Sequence, residues 1–187
     1  MNKAVLISIR PEWCGNIANG EKTIEVRKTR PKLTPPFKCY IYVAKQKKGE
    51  DFWLAAVIAE NRCYYGAGSI IGEFVCDEIQ YADAFNFVVK EDGEKALEGS
   101  CIDKTELFEY LGWERGMPRA ECTPFYRWHI SELKIYDTPK ELSEFVKPFN
   151  FRSCLHPIAI DCGKCTQCII KRPPQSWCYV EEIGGAI

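Results

Sequence analysis

The stretch Gly20-Glu21-Lys22-Thr23-Ile24-Glu25-Val26-Arg27 decides how the rest of the chain is read, because the hydrophobic period changes inside it. Upstream, Trp13, Cys14 and Ile17 recur at helical spacing, Pro11 suits a first helical position, and Gly20 after Asn19 supplies the left-handed residue that closes a helix. Gly15 works against that helix by roughly 0.5–1 kcal/mol relative to alanine. From Lys22 onward the period is two: Ile24 and Val26 share one face of a strand, and Thr23, Glu25 and Arg27 share the other. An ammonium, a hydroxyl, a carboxylate and a guanidinium are thereby gathered at a helix-to-strand corner. On spacing alone the set is either an exposed ion-pair cluster or a ligand site.

Working outward, residues 4–10 form a β-branched apolar run that predicts a buried strand, and Pro31, Pro35 and Pro36 predict a rigid connection. Residues 39–44 and 53–59 read as strands joined in a hairpin by a polar turn at 45–51. Residues 64–69 read as an aromatic loop, and 70–81 as one long strand bent at Gly72. The acidic region 90–122 is helix-prone, with Asp103 and Glu106 spaced as a capping pair and Gly112 as a stop. Residues 126–136 return to strand character. Thr138-Pro139-Lys140-Glu141 carries the signature of a helix start, with Leu142, Phe145 and Val146 as its apolar face. A last strand is expected over residues 177–180, preceded by Pro173 and Pro174, which preset an extended path.

Many strands with few, short helices predict an α+β fold, specifically a small mixed β-barrel with helices at its rim. The barrel is assigned to residues 1–148 together with 172–187, a helical insertion to about 90–122, and a cysteine-rich metal-binding loop to 149–171. A chain of 187 residues, 46% hydrophobic and 27% charged, fits one compact domain. No apolar stretch approaches the roughly 20 residues needed to cross a bilayer, and the first apolar run is too short for a signal peptide, so no membrane partner and a cytoplasmic location are expected. The net charge of −1 hides an asymmetry: residues 1–48 hold eleven lysines and arginines against Glu12, Glu21 and Glu25, a local surplus of eight positive charges. Such a segment suits a local anionic partner or is a solvated basic face.

The string Ser8-Ile9-Arg10-Pro11-Glu12-Trp13, followed by residues 17–28, resembles the ASCH domain family, whose signature is Gly-x-Lys-x-x-Glu-x-Arg. Ile71-Gly72-Glu73-Phe74, Trp128-His129-Ile130-Ser131, Pro139-Lys140-Glu141-Leu142 and Arg172-Pro173-Pro174-Gln175-Ser176-Trp177 look like the phage and prophage-borne branch of that family. The resemblance implies a barrel similar to the PUA domain, a cleft beside the signature, and a role in handling RNA. It places RNA or a nucleotide-like ligand against Arg10, Trp13, Lys22, Glu25, Arg27, Arg30, Gln175, Ser176 and Trp177. Lys22 and Arg27 would meet phosphate or base acceptors, Glu25 would accept from an exocyclic amine, and Trp13 or Trp177 would stack on a base. A minority of small ASCH-like proteins are amidohydrolases that deacetylate N4-acetylcytidine with a Lys, a Thr and a Glu. Their lysine matches Lys22, but their threonine falls on Glu25, with Thr23 two residues earlier. The rival readings are therefore an amidohydrolase using Lys22 and Glu25, with Thr23 as a further candidate, and a protein-interaction module.

Eleven cysteines in a reducing compartment point to metal ligation more than to disulfides. Cys154, Cys162, Cys165 and Cys168 stand at spacings that let one tight loop present four thiolates to Zn²⁺ at about 2.3 Å, with Cys178 and His156 as alternates. A closed four-sulfur set leaves no open position, so the zinc would be structural. An iron–sulfur cluster is the runner-up. Cys14, Cys39, Cys63, Cys76, Cys101 and Cys122 are scattered and read as small core residues. Protein purified without chelator is expected to carry one zinc per chain by elemental analysis; metal-free protein would remove the assignment.

Overall fold

The computed structural model describes residues 2–45, 56–59, 62–65, 67–83, 97–114, 116–148 and 168–183. Ten strands and two α-helices follow in the order β1 (Lys3–Ile9), α1 (Pro11–Ala18), β2 (Ile24–Arg27), β3 (Phe37–Val43), β4 (Ala56–Ala59), β5 (Arg62–Tyr65), β6 (Ile70–Cys76), β7 (Ile79–Ala82), α2 (Lys104–Leu111), β8 (Phe125–His129), β9 (Ser131–Lys140) and β10 (Trp177–Glu181). A five-stranded sheet has the order β10-β1-β3-β6-β9, a three-stranded sheet the order β2-β8-β7, and β4 and β5 form a separate hairpin. The pair β1–β3 is parallel and the other ladders are antiparallel.

Three apolar layers explain this arrangement. Val5, Ile7, Ile9, Cys39, Ile41, Val43 and Phe74 of the large sheet pack against Trp128, Ile130 and the α1 residues Cys14 and Ile17. The opposite face of the large sheet buries Ala4, Leu6, Tyr40, Tyr42 and Val180 beneath Phe145 and Ile170. On the far side of the small sheet, Ile24, Val26 and Phe125 meet Leu107 and Leu111 of α2. Both faces of β1 and β3 are therefore covered, which is why their sequences run continuously apolar instead of alternating. Trp128, fully buried, meets Phe37 edge-on at 6.0 Å between ring centroids.

The expected closed barrel is not formed: among the described residues the strands make two open sheets facing one another. The reason lies in two corners. What reads as one strand over 70–81 breaks at Asp77-Glu78, and what reads as one over 126–136 breaks at Ile130, so the chain crosses between sheets at each. Glu132, just past the second corner, takes φ +46°. The corners are fastened together, His129 N–H donating to Glu78 O at 2.9 Å and His129 Nδ1 lying 2.6 Å from Asp77 Oδ1. The His129 contact holds the Asp77 carboxyl below its ordinary range. Two further expectations give way to long-range pairing. β3 lies between β1 and β6 and forms no hairpin with β4, which pairs β5; Tyr64 and Tyr65 belong to that strand and not to a loop. The helix expected from Thr138 is absent because β9 runs through Pro139 to Lys140, an edge position where proline forfeits no ladder bond. Only a single 3₁₀ turn, Leu142–Glu144, follows, with Glu141 and Glu144 as its reciprocal caps.

The end signals of the two helices act as read, while residues 46–51 of the expected polar turn and 90–96 of the helix-prone region lie outside the described residues. Gly20 closes α1 at φ +76°, and Asp103 and Glu106 form a capping box at α2, with Gly112 left-handed at its end. No helix among the described residues is long and apolar enough to cross a membrane. Gly72 sits at a β6–β9 register shift, where an added Cβ would meet Lys134 O and the Cα and Cδ1 of Ile135. In α1, an added Cβ at Gly15 meets nothing within 4 Å. Gly72→Ala is therefore expected to destabilise by about 1–3 kcal/mol and Gly15→Ala to stabilise by about 0.5–1 kcal/mol. Thermal unfolding of the two variants should shift in opposite directions, and a shift of the same sign in both would contradict this packing.

Candidate functional site

Strand β2 is buried along its whole length, and the residues it turns towards the large sheet are charged. Glu25 and Arg27 pair across the ladder with Trp128 and Tyr126, two residues of the layer between the sheets. Side-chain exposure is 3% for Lys22, 7% for Glu25 and 9% for Arg27, so the three are held by protein contacts and not by water. Arg27 Nη2 donates to Glu25 Oε1 at 2.9 Å and to Ser8 O at the end of β1 at 2.7 Å, while Nη1 donates to Ser176 Oγ at 3.3 Å. Lys22 Nζ lies 3.4 Å from Glu25 Oε2, donates to Ser100 O, and stands 5.2 Å from the centre of the Trp13 ring.

The turn at 97–100 fastens this set from the other side. Gly99 O accepts from the N–H groups of Thr23 and Ile24 at 2.7 and 2.8 Å, and fully buried Ser100 donates its hydroxyl to Leu97 O at 2.6 Å. The region expected to be an insertion on a barrel thus supplies part of the site.

A cavity of about 800 Å³ opens over these groups, within the usual range for a small-ligand site. Lys22, Glu25 and Arg27 form its floor. Arg10, Pro11, Glu12 and Trp13 line it from α1, and Ile102, Glu106, Glu109 and Tyr110 from α2 and the turn before it. Ser8, Ile9, Lys45 and Gln175 complete the wall. The lining is not simply basic: Arg10, Lys22, Arg27 and Lys45 are matched by Glu12, Glu25, Glu106 and Glu109. The distribution is uneven in depth. The floor holds two cations and one carboxylate, whereas the rim holds Arg10 and Lys45 with three carboxylates. Arg10, 74% exposed, pairs with Glu12 at 3.6 Å, a contact that solvent screens to little value.

Of the residues expected to receive ligand, Arg10, Trp13, Lys22, Glu25, Arg27 and Gln175 line the cavity, and Ser176 touches Arg27. Trp177 lies outside the lining, its ring packed near Trp128 and Tyr179 and its indole N–H donating to Thr29 Oγ1 at 3.0 Å. Arg30 is exposed on the connector beyond β2, also outside the lining. Thr23 Oγ1 lies against Gly99, and Thr23 is exposed where Lys22 and Glu25 are buried. The α2 wall falls in the acidic region assigned to a helical insertion and not to the site; Tyr110, one turn beyond Glu106, is the signal that this face meets something. Desolvation raises the Tyr110 phenol above its ordinary range, although the residue as a whole is 36% exposed.

Cys14 lies beside the site but offers no nucleophile. Its burial, followed by the Glu25 carboxylate, holds the thiol well above the usual range. Among the expected metal ligands, Cys154, Cys162, Cys165 and the alternate His156 lie outside the described residues. Cys168 and Cys178 are half-buried; Cys168 O accepts from Lys147 N–H at 2.8 Å, and Cys178 packs with Phe145 and Ile170 beneath the large sheet.

The ASCH domain model matches residues 7–114, which spans β1 through α2 and so takes in the cavity floor and both of its helical walls. No curated protein matches the chain. Two solved structures of ASCH from Zymomonas mobilis are similar to it over nearly their full length. A serine-to-alanine variant matches at 15% identity and TM-score 0.56, covering 96% of this chain and 89% of that one. A tyrosine-to-phenylalanine variant matches at 15% identity and TM-score 0.55, covering 97% and 92%. At this identity the likeness concerns the fold alone. With more than half of its length, including the Lys22–Arg27 signature, matched by one family model, the chain belongs to the ASCH domain family.

Proposed function

We propose that the cavity receives one nucleotide-like unit of an RNA, with Lys22 and Arg27 as the groups that meet its acceptor atoms. The observation that carries this reading is the charge of the floor: two buried cations share one carboxylate, leaving a surplus positive charge in a place water scarcely reaches. Buried charge is costly until paired, so the floor favours an electron-rich ligand group, such as a base carbonyl or a phosphate oxygen. Trp13, with the Lys22 ammonium over its ring, offers a flat apolar wall against which a base stacks. The carboxylates of Glu12 and Glu109 at the rim suit the exocyclic amine of a base.

The amidohydrolase reading draws on the same Lys22–Glu25 contact, since a base and a proton relay need such proximity. Two features weigh towards binding. Lys22 Nζ is already committed to Glu25 and Ser100, and the Thr23 hydroxyl lies against Gly99 on an exposed residue.

Lys22→Met and Trp13→Ala are each expected to lower affinity for short single-stranded RNA about tenfold or more, equivalent to about 1.4 kcal/mol. Fluorescence anisotropy measures the loss, and unchanged circular dichroism shows that the variants are folded. Glu25→Gln separates folding from binding, because it leaves two neighbouring buried cations without their counter-charge and should destabilise by about 3–5 kcal/mol. A folded Lys22→Met protein that binds RNA like the parent would overturn the proposal. Release of acetate from N4-acetylcytidine, abolished in Lys22→Met, would replace it with the hydrolase.

A further inference from the structure

Between Glu25 and Glu50 the chain has no acidic residue, yet it carries Arg27, Lys28, Arg30, Lys32, Lys38, Lys45, Lys47 and Lys48. The first part of this stretch, the connector over residues 28–36 between β2 and β3, is fixed in place by three contacts. Thr29 Oγ1 accepts from the Trp177 indole, Pro31 is buried, and the Lys32 N–H donates to Tyr179 Oη at 2.7 Å. Lys28, Arg30 and Lys32 stand beside these anchor points, and all three are exposed. Among the described residues none of these three has a carboxylate within ion-pair distance. Three cations are thus displayed on a pinned backbone.

This row begins at the cavity. The Lys28 ammonium stands 5.2 Å from the centre of the Tyr110 ring, and Tyr110 is part of the cavity wall. On its other flank, Ser176, one residue before Trp177, is the hydroxyl that Arg27 reaches from the floor. Resting on the reading of the cavity as a nucleotide site, we infer that Lys28, Arg30 and Lys32 form a phosphate track for single-stranded RNA, along which the backbone leaves the nucleotide held over Lys22 and Arg27. The cavity rim, with three carboxylates to two cations, does not hold phosphates, so the backbone must find its counter-charge outside it. The connector provides that charge, and its fixed path keeps the ordering cost of the contacts low. An unstructured acidic protein segment would also be drawn to three cations. The link through Tyr110 to a cavity with an aromatic wall and a cationic floor favours a ligand that alternates anionic backbone with flat bases.

The test compares the parent protein, a combined Lys28→Ala, Arg30→Ala, Lys32→Ala variant, and Lys22→Met. Each is titrated with a short single-stranded oligoribonucleotide, an uncharged nucleoside and polyglutamate across a salt series. The triple variant is expected to lose about tenfold in oligoribonucleotide affinity at moderate salt. The slope of log affinity against log salt should become shallower by about two, since each phosphate contact to a single strand contributes about 0.7. Nucleoside binding should stay at the parent value, because a nucleoside has no phosphate for the track, and so should the melting temperature, because the three side chains are exposed and the pinning contacts use other atoms. An unchanged slope overturns the track, as does polyglutamate binding as tight as RNA binding. If the triple variant behaves as expected while Lys22→Met binds both ligands normally, the track stands and the cavity reading falls. If only Lys22→Met loses affinity, the cavity reading stands and the track falls.

Discussion

The buried guanidinium of Arg27 is the contact on which both the fold and the site depend. It leaves the small sheet, reaches Ser8 O at the end of β1 in the large sheet, and touches Ser176 just before β10. A hydrophobic layer holds two sheets face to face but does not by itself dictate their offset. Two directional bonds from one planar group, to Ser8 O and Ser176 Oγ, do, because guanidinium donors have a fixed geometry. The ion pair to Glu25 makes this burial tolerable, and the same carboxylate serves Lys22. The stretch that joins the sheets is consequently the stretch that floors the cavity.

Shared duty has an electrostatic consequence. One carboxylate between two cations lowers their repulsion without cancelling their charge, and the protein leaves the remainder facing a cavity. Ser100 O and the Trp13 ring take part of it through the Lys22 ammonium, using a backbone dipole and a ring quadrupole. Neither carries a full negative charge. The floor is therefore preorganised: its donors are fixed by neighbours on α1, β1, β2 and the 97–100 turn, so a ligand acceptor meets them without a reordering cost.

Local features of the sequence translated faithfully wherever neighbouring residues determine the outcome. Pro11 starting α1, Gly20 ending it, the Asp103–Glu106 box and the period-two segment of β2 all rely on contacts within a few residues. The barrel expectation failed where a polar dipeptide, Asp77-Glu78, and a single residue, Ile130, carry a strand from one sheet to the other. Asp77 and Glu78 interrupt the apolar pattern, and its phase shifts by one residue after Ile130, but each break is so short that strand character resumes at once on its far side. The Thr138 helix signal failed for the opposite reason: a valid local cap was outweighed by the ladder to β6 and by full burial of Phe145. In the site, the signature residues were legible as a cluster, but Ser8, Ser100 and the α2 wall were not. The two serines lie 19 and 78 residues from the side chains they meet and contribute carbonyls, which every residue type has, and the α2 wall is farther along the chain still.

The participation of Ser176 shows how late the site is completed. β10 pairs with β1 in the register Ile7 with Trp177, so the strand that brings the hydroxyl to Arg27 closes the chain over nearly its whole length. Loop closure costs grow slowly with length, as the logarithm, but they fall sharply if part of the loop is already ordered. The bridge of Val146 to Ile169 is such an ordered point. It lies seven residues before Ser176, so the hydroxyl that meets Arg27 is reached from a position already fixed against the large sheet's covering layer.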